Sequence, residues 1–286
     1  MTFRAFAILA ILAAPALAYA GTPVKIVAAE NFYGDIAQQI GGPDVAVASI
    51  LSNPDQDPHL FEASPAVARR LSEARIAISN GLGYDPWMQK LLAAARNPGR
   101  QTIVVADLVG RKPGDNPHIW YDPATMLALA RALADALATA DPSQHAAYQQ
   151  RLAQLVQSMR PVQARIAALH VRLAGTPVTA TEPVFGYMFE ALGMTVRNLP
   201  FQRAVMNNTE PSASEIAAFE DTLKTRQVRL LVYNSQASDP VADRMANLAR
   251  ASHVPVLGAT ETEPPGVTYQ AWMLATLDAI DRALPD

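Results

Sequence analysis

Apolar and polar positions along the chain form an alternating series of short β-type runs and longer helical runs. The first apolar run, 24–28, leads into residues 31–40, whose apolar positions recur at helical spacing and which end at Gly41-Gly42. The same order then repeats, with strands expected at 45–51, 76–79 and 102–106 and helices at 65–74 and 86–95. Strands that alternate with helices indicate βαβ units, in which a mainly parallel sheet is covered on both faces.

A long helical stretch follows at residues 141–172. Asp141-Pro142 is typical of a helix start, because aspartate caps the first turn and proline fits the first helical position. The stretch stays rich in Ala, Gln, Leu and Arg until Gly175 closes it, and Pro161 predicts a kink within it. At about 1.5 Å per residue such a helix would reach about 46 Å, which is longer than a single lobe. We therefore expect a spine between two lobes.

Beyond the spine the alternation of strands and helices resumes. Elements are expected at 177–180, 184–192, 214–225, 228–233, 240–251, 254–257 and 269–284. The predicted fold class is α/β, with two βα lobes that each hold a mainly parallel sheet and are joined by one long spine helix. The corresponding domains are an N-terminal lobe at 21–140, a connecting helix at 141–174 and a C-terminal lobe at 175–286.

The first twenty residues have the order of a secretory signal peptide. Arg4 precedes an apolar run from Ala5 to Leu17, and Ala18-Tyr19-Ala20 offers the small residues of a cleavage site. The apolar run is shorter than the ~20 residues that span a bilayer, and Pro15 interrupts it, which disfavours a membrane anchor. Cleavage after Ala20 predicts a periplasmic protein with no membrane span of its own.

Composition narrows the class of protein further. Of the 286 residues, 50% are apolar and 17% are charged, which is enough apolar surface for a substantial core. The chain contains no cysteine, so neither disulfides nor a lipid anchor on cysteine are expected. Loss of Arg4 with the signal peptide would move the net charge from −3 to −4, and no basic block is present. Nucleic acid is therefore not an expected partner, and we expect a monomer.

Two histidines lie in loops that proline makes stiff. His59 follows Pro58 just beyond an expected strand, and His118 follows Pro117 in a similar setting. In doubly wound sheets the loops beyond the carboxyl ends of strands bind ligands. An imidazole that is already placed loses less entropy when it binds a metal. A capping or solvent-exposed role is the alternative for either histidine alone, whereas the repeated Pro-His pattern favours a metal site.

Two glutamates take matching positions in the second lobe. Glu182 and Glu261 each follow an expected strand, and each is followed by proline within three residues. A single glutamate at such a place is most often a solvated side chain. Four possible ligands at four strand ends make that explanation weaker and favour a shared metal site.

The chain resembles a known family, the metal-binding receptors of ABC importers called cluster A-I or zinc/manganese solute-binding proteins. The resemblance covers essentially the whole mature chain, and its most specific motif is similar to the family's D-P-H-x-[YF]-E. The segments that carry it are Asp57–Glu62, Asn116–Trp120, Phe185–Tyr187 and Glu210–Ser212. The resemblance implies a periplasmic receptor that delivers one divalent metal ion to the membrane permease of an ABC importer.

The same resemblance implies a ligand set. His59 and His118 are the ligands from the first lobe, Glu182 is the third, where zinc members usually carry histidine, and Glu261 is the fourth, where many carry aspartate. For the fourth ligand Glu263 is an alternative, and Asn234 or Gln236 could also face the cleft. Glu62, Asp122 and backbone carbonyls are candidates for orienting the imidazoles.

The ligand types restrict the metal. Two imidazoles and two carboxylates suit Mn²⁺, Fe²⁺ or Zn²⁺ and not Cu⁺. Carboxylates that bind through both oxygens would provide six donors, which suits manganese, whereas single-oxygen binding gives the tetrahedron that zinc prefers. Family members with glutamate as third ligand tend toward manganese or iron, so manganese is expected first, zinc second and iron third.

Two other classes of function remain as alternatives. A periplasmic zinc-dependent hydrolase could use two histidines and a glutamate around an open position, with Glu263 as general base. The sequence contains none of the patterns H-E-x-x-H, G-x-S-x-G, Walker A or G-x-G-x-x-G, so we expect no enzyme. An adhesin, metal-dependent or cofactor-free, is the other alternative. Tight binding of one metal ion without turnover separates a receptor from a hydrolase and from an adhesin that is indifferent to chelator.

Overall fold

A computed structural model describes residues 22–55, 61–237 and 239–285. The signal peptide expected at residues 1–20 and the predicted ligand His59 therefore lie outside the described residues. Within the described ranges, no helix combines the length and apolar character needed to cross a membrane.

The N-terminal lobe is built on a four-stranded parallel sheet with the order β2-β1-β3-β4. Its register is set along the first pair of strands, where Val24 lies beside Val45 and Glu30 beside Leu51. The strands are β1 (Val24–Glu30), β2 (Val45–Leu51), β3 (Ile76–Ser79) and β4 (Gln101–Val104), and the helices are α1 (Asn31–Gly41), α2 (Pro65–Glu73), α3 (Pro86–Ala94), α4 (Val105–Leu108) and α5 (Thr125–Ala140).

The C-terminal lobe repeats this topology with the order β6-β5-β7-β8, again all parallel. Its strands are β5 (Pro177–Ala180), β6 (Thr195–Val196), β7 (Leu231–Asn234) and β8 (Val256–Ala259), and its helices are α8 (Gly186–Ala191), α9 (Leu199–Met206), α10 (Ala213–Lys224), α11 (Pro240–Ala251) and α12 (Tyr269–Ala283). The prediction of two α/β lobes with parallel sheets is confirmed.

The predicted spine consists of two consecutive helices, α6 (His145–Ser158) and α7 (Arg160–Leu173), and the kink predicted from Pro161 falls at Met159, whose backbone dihedrals stay helical. The break at Met159 lies just before Pro161, because proline cannot donate to the carbonyl four residues earlier and its ring crowds that carbonyl. Asp141 caps the preceding short 3₁₀ turn by accepting a hydrogen bond from the Ser143 amide at 3.2 Å. The predicted domain boundaries at residues 140 and 174 stay predictions.

Each half of the spine is tied to one lobe. Arg151 on α6 donates to the Gly41 carbonyl at 2.7 Å and pairs with Asp44 at 2.9 Å in the N-terminal lobe. Arg165 on α7 pairs with Asp278 and Asp281 on α12, at 2.8 and 2.7 Å. The bend at Met159 therefore falls between the attachment to one lobe and the attachment to the other.

One apolar core runs through both lobes. Alternate residues of β1 point to opposite faces of the sheet, so that Ile26 joins the main core and Val27 packs against α2 and α3. The main core continues along α1 and α5, across α6 and α7, and into α8 and α12 of the other lobe. A smaller cluster under α9, α10 and α11 covers the far face of the second sheet. The two lobes therefore share a continuous packed interior.

Several expected elements differ from those observed. Sequence analysis assigns nothing to residues 124–140, where the structure shows α5, whose apolar positions three and four apart are buried. The strand expected at 102–106 ends at Val104, because α4 begins at Val105. The segment 184–192 contains a 3₁₀ turn, Pro183–Phe185, followed by α8.

Candidate metal centre

The strand order of each sheet places ligand-type side chains at one edge. In the strand order β2-β1-β3-β4, the chain leaves β1 toward one edge of the sheet and leaves β3 toward the other. A crevice therefore opens outside the carboxyl ends of β1 and β3, and ligands of open α/β sheets usually bind in such a crevice. In the C-terminal lobe Glu182 lies just beyond β5, Asn234 ends β7 and Glu261 lies just beyond β8. Parallel strands thus deliver these three side chains to the same edge.

Three of the four predicted ligands meet in a buried cluster. His118, Glu182 and Glu261 each offer a ligand atom, and these atoms all lie within 4.8 Å of one another. The three residues are 0%, 2% and 0% exposed. Nε2 of His118 lies 3.7 Å from Oε2 of Glu261. Two donors that bind one tetrahedral metal ion at about 2.1 Å are about 3.4 Å apart, so the spacing fits a shared ion.

The His118 ring is oriented by Asn116. Nδ1 of His118 lies 2.7 Å from Oδ1 of Asn116, and the same oxygen accepts a hydrogen bond from the His118 backbone amide at 3.1 Å. Because an amide oxygen only accepts, Nδ1 carries a proton, which leaves Nε2 as the ring nitrogen that can bind a metal. This is the tautomer in which Nε2 can bind a metal on the carboxylate side.

Asn116 also connects the two lobes. Its Nδ2 donates to the carbonyl of Pro183 at 2.7 Å, directly beside Glu182 in sequence. A side-chain carbon at Gly186 would lie 2.8 Å from that nitrogen, so glycine leaves the space that Asn116 fills. The hydroxyl of Tyr187 donates to the Asn116 carbonyl at 2.7 Å. The Phe-Gly-Tyr motif therefore serves to dock the loop that carries His118.

Gln236, one alternative for the fourth ligand, supports the loop of Glu261. Its Oε1 accepts hydrogen bonds from the amides of Glu261 and Thr262 at 2.5 and 2.9 Å. Its Nε2 donates to the carbonyl of Pro54 in the other lobe at 2.8 Å. Both ends of this amide are thus engaged in holding backbone.

Asn234, another alternative, lies between the two carboxylates. Its Nδ2 donates to Oε1 of Glu182 and to Oε1 of Glu261. An amide nitrogen has no lone pair available for a metal, so this contact makes Asn234 a donor to the ligands and not a ligand.

Glu263, the third alternative, lies outside the cluster of three. Its backbone amide and carbonyl both bond to the side chain of Asn31, at 2.9 and 2.7 Å. Burial, with a smaller contribution from Asp35, raises the pKa of Glu263 to about 9. This carboxyl group therefore holds a proton at neutral pH, and the backbone of Glu263 contributes to the contact between the lobes.

The cluster lies in a region of negative potential. Burial raises the pKa of Tyr84 well above its usual value, and the charges of Glu261, Glu30 and Glu182 raise it further. Burial, followed by the charge of Asp85, also raises the pKa of Glu30 well above that of a free glutamate. A cation entering this region is favoured, because low-dielectric surroundings strengthen its attraction to the carboxylates.

The sequence-based candidates for orienting the imidazoles occupy other positions. Asp122 pairs with Arg111 at 2.9 Å and accepts from the Ala124 amide at 3.0 Å. Glu62 is exposed. Sequence analysis missed Asn116 in this role, although an asparagine two residues before the ligand is well placed to bond to that ligand's amide.

Two parallel α/β lobes around a buried cluster of nitrogen and oxygen donors define a two-lobed solute-binding protein. The chain belongs to the ZnuA family, described as zinc-uptake complex component A, periplasmic, whose model matches residues 26–283. This confirms the resemblance to the cluster A-I metal-binding proteins of ABC importers. The family consists of uptake components and not of enzymes, and such binding proteins work with a membrane permease.

Individual relatives agree with this membership. A protein of Treponema pallidum (strain Nichols) described as metal-binding is 26% identical over 285 residues, covering 91% of this chain and 87% of that protein. The manganese ABC transporter substrate-binding lipoprotein PsaA of Streptococcus pneumoniae serotype 4 is 22% identical, covering 92% of this chain and 90% of that protein. The solved periplasmic zinc-binding protein TroA of Treponema pallidum has a TM-score of 0.77 at 20% identity, covering 93% of this chain and 100% of that chain.

Proposed function

We propose that this protein captures one divalent transition-metal ion, Mn²⁺, Zn²⁺ or Fe²⁺, between its lobes and delivers it to the permease of an ABC importer. The observation that carries the proposal is the buried cluster of His118, Glu182 and Glu261, with ligand atoms within 4.8 Å of one another. Imidazole nitrogen with carboxylate oxygen is the donor set that these metals share. His59 is the proposed fourth ligand.

Both lobes contribute to the site, which links metal binding to their arrangement. His118 belongs to the N-terminal lobe, whereas Glu182 and Glu261 belong to the C-terminal lobe. A metal ion bound to all three therefore favours the arrangement in which the lobes are close together. A permease that recognises that arrangement would distinguish the loaded from the empty receptor, since a ligand shifts an equilibrium only through unequal affinity for two states.

The cellular setting follows from the same proposal. Export by the predicted signal peptide, with cleavage after Ala20, would place the mature chain in the periplasm as a monomer. Family members described as periplasmic or as ABC transporter lipoproteins support an extracytoplasmic location. No catalytic role is proposed.

Isothermal titration of the chelator-treated mature chain with Mn²⁺, Zn²⁺ and Fe²⁺ tests the proposal. We expect one equivalent of metal to bind tightly, and His118→Ala and His59→Ala to weaken binding by at least tenfold. His145→Ala is the matched control, because His145 is an exposed residue at the start of α6 and should leave affinity unchanged. Absence of metal binding by the wild-type protein would refute the proposed function.

A further inference from the structure

The orientation of the Asn234 side chain is fixed independently of the metal ligands. Asn234 is the last residue of β7 and is 5% exposed. Its Oδ1 accepts hydrogen bonds from the backbone amides of Gln236 and Ala237, at 3.0 and 3.3 Å. Its own backbone amide donates to Oγ1 of Thr181 at 3.3 Å. With the amide oxygen held by the turn, the NH₂ group must point toward the cleft.

The two hydrogens of that NH₂ group match two acceptors. Nδ2 donates to Oε1 of Glu182 and to Oε1 of Glu261, so one amide spans both carboxylates. The second oxygen of Glu261, Oε2, faces Nε2 of His118 at 3.7 Å. In each carboxylate Oε1 therefore accepts a hydrogen bond from Asn234, and Oε2 does not.

We infer that Asn234 is a positioning residue that restricts Glu182 and Glu261 to one metal-binding oxygen each and thereby favours zinc over manganese. This inference rests on the proposed function of the site. A carboxylate that binds a metal through both oxygens must share Oε1 between the metal and the NH₂ group of Asn234, which weakens that hydrogen bond, and burial makes the weakening costly.

The number of donors decides the metal preference. With single-oxygen carboxylates the described cluster offers three donors, Nε2 of His118 and one oxygen from each glutamate, whereas carboxylates that bound through both oxygens would raise that number to five. Zinc accepts four donors in a tetrahedron, whereas manganese is better served by a larger, oxygen-rich set. The Asn234 contact therefore acts against manganese, the metal that the sequence alone places first.

Two variants and one control test the inference. Asn234→Ala removes the bridging donor, and Asn234→Asp keeps the oxygen that accepts from Gln236 and Ala237 but removes the NH₂ group. Removing a ligand's hydrogen-bond partner typically changes metal affinity by about 10–100-fold, and we expect both variants to lower the ratio of zinc to manganese affinity by about tenfold in competition titrations. Asn247→Ala, at an exposed asparagine of α11, should leave the ratio unchanged.

Cobalt(II) provides a readout that does not depend on affinity. Four-coordinate cobalt absorbs visible light much more strongly than six-coordinate cobalt. The wild-type complex should show the strong bands, and both Asn234 variants should show weaker ones. Weak, six-coordinate bands in the wild type would overturn the inference even if neither variant folds, and so would an unchanged spectrum and metal ratio in folded variants.

These results are distinguishable from failure of the proposed function. If the wild-type protein binds none of the metals, the receptor proposal itself is wrong. If it binds them with six-coordinate geometry, or with a preference that Asn234 does not influence, the receptor proposal stands and the inference about Asn234 is refuted.

Discussion

Removal of the Tyr269 hydroxyl should measurably weaken the junction between the lobes. Tyr269 begins α12 and is 1% exposed, and its hydroxyl donates to the backbone carbonyl of Trp120 at 2.7 Å. Trp120 directly follows Ile119 in the loop of His118 and is itself fully buried. In Tyr269→Phe the buried carbonyl loses its donor, and leaving such an acceptor unsatisfied costs about 1–3 kcal/mol.

Tyr148→Phe is the matched control for this substitution. Tyr148 is 0% exposed, and its hydroxyl has no hydrogen-bond partner among the described residues. The same atom is deleted from an equally buried ring, but no hydrogen bond is lost. We therefore expect its free energy of unfolding to change by less than about 0.5 kcal/mol or to increase slightly, since a buried polar group without a partner is itself unfavourable.

Thermal unfolding of the metal-free proteins, followed by circular dichroism, measures both effects. For chains of about this size 1 kcal/mol corresponds to a shift of roughly 2–4 °C in Tm, so a cost of about 1–3 kcal/mol should lower the Tm of Tyr269→Phe by roughly 2–12 °C. Because one core runs through both lobes, the loss should move the whole transition. Equal Tm values for the two variants would refute the assigned role of the hydroxyl of Tyr269.

Three further predictions concern the site and its surroundings. Asn116→Ala should weaken metal binding by about 10–100-fold, whereas Asn116→Asp, which keeps the acceptor for the His118 ring, should lose less affinity. Equal losses of affinity in titration calorimetry would contradict the assignment of the proton to Nδ1 of His118. The pKa of Glu263 is raised to about 9, so the folded protein retains a proton that the unfolded chain releases above about pH 4.5. The free energy of unfolding should therefore fall as the pH rises from about 4.5 to 9. Glu263→Gln should flatten that slope in metal-free thermal melts, and an unchanged slope would exclude Glu263 as its source. Glu182→His should shift preference toward zinc, and unchanged relative manganese and zinc affinities in a competition titration would contradict that ligand assignment.

The elements that sequence predicted best are those whose own residues decide their structure. The strands at 45–51, 76–79 and 177–180 have the predicted bounds, because each is a short apolar run closed by turn-forming or polar residues. The helix α11 begins at Pro240, where Asp239 caps it by accepting from the Ala242 amide at 2.7 Å. Local chemistry was sufficient at these places.

The spine shows where local chemistry was not sufficient. The apolar pattern continues through residues 141–172, and only the geometry at Met159 separates α6 from α7. Pro161 predicted a kink, but whether a helix bends or divides depends on what each half packs against. Here α6 packs against α1 and α5, whereas α7 packs against α12, so the two halves follow different partners.

The candidate ligands could be grouped from sequence, but their supporting contacts could not. Strand ends and neighbouring prolines made His59, His118, Glu182 and Glu261 candidates, and the family resemblance supplied the ligand set. The side-chain amide of Asn116 donates a hydrogen bond to the carbonyl of Pro183, 67 residues away in sequence, and that of Asn234 donates to Glu182, 52 residues away. The contact of Asn116 exists only after the two lobes come together, and that of Asn234 only after β5 pairs with β7, so no local pattern identifies either.

The shared topology of the lobes explains why the site is asymmetric. In the shared topology, β1 corresponds to β5 and β3 to β7. Glu30 at the end of β1 therefore corresponds to Glu182 just after β5, and Asn80 just after β3 corresponds to Asn234 at the end of β7. In the C-terminal lobe the asparagine bonds to the glutamate and presents it to the cleft. In the N-terminal lobe Asn80 instead accepts from the hydroxyl of Tyr33 at 2.6 Å and donates to the carbonyl of Pro117 at 3.0 Å.

The different hydrogen-bond partners of Asn80 and Asn234 determine which type of ligand each lobe contributes to the cluster. By holding Pro117, Asn80 fixes the loop that presents His118, and Glu30 remains fully buried with neither carboxylate oxygen hydrogen-bonded among the described residues. Burial raises the pKa of Glu30 and so disfavours its charged form, whereas its counterpart Glu182 belongs to the cluster that could hold a metal. One arrangement of strands thus yields a nitrogen donor from the first lobe and oxygen donors from the second, a mixed set that suits Mn²⁺, Fe²⁺ and Zn²⁺.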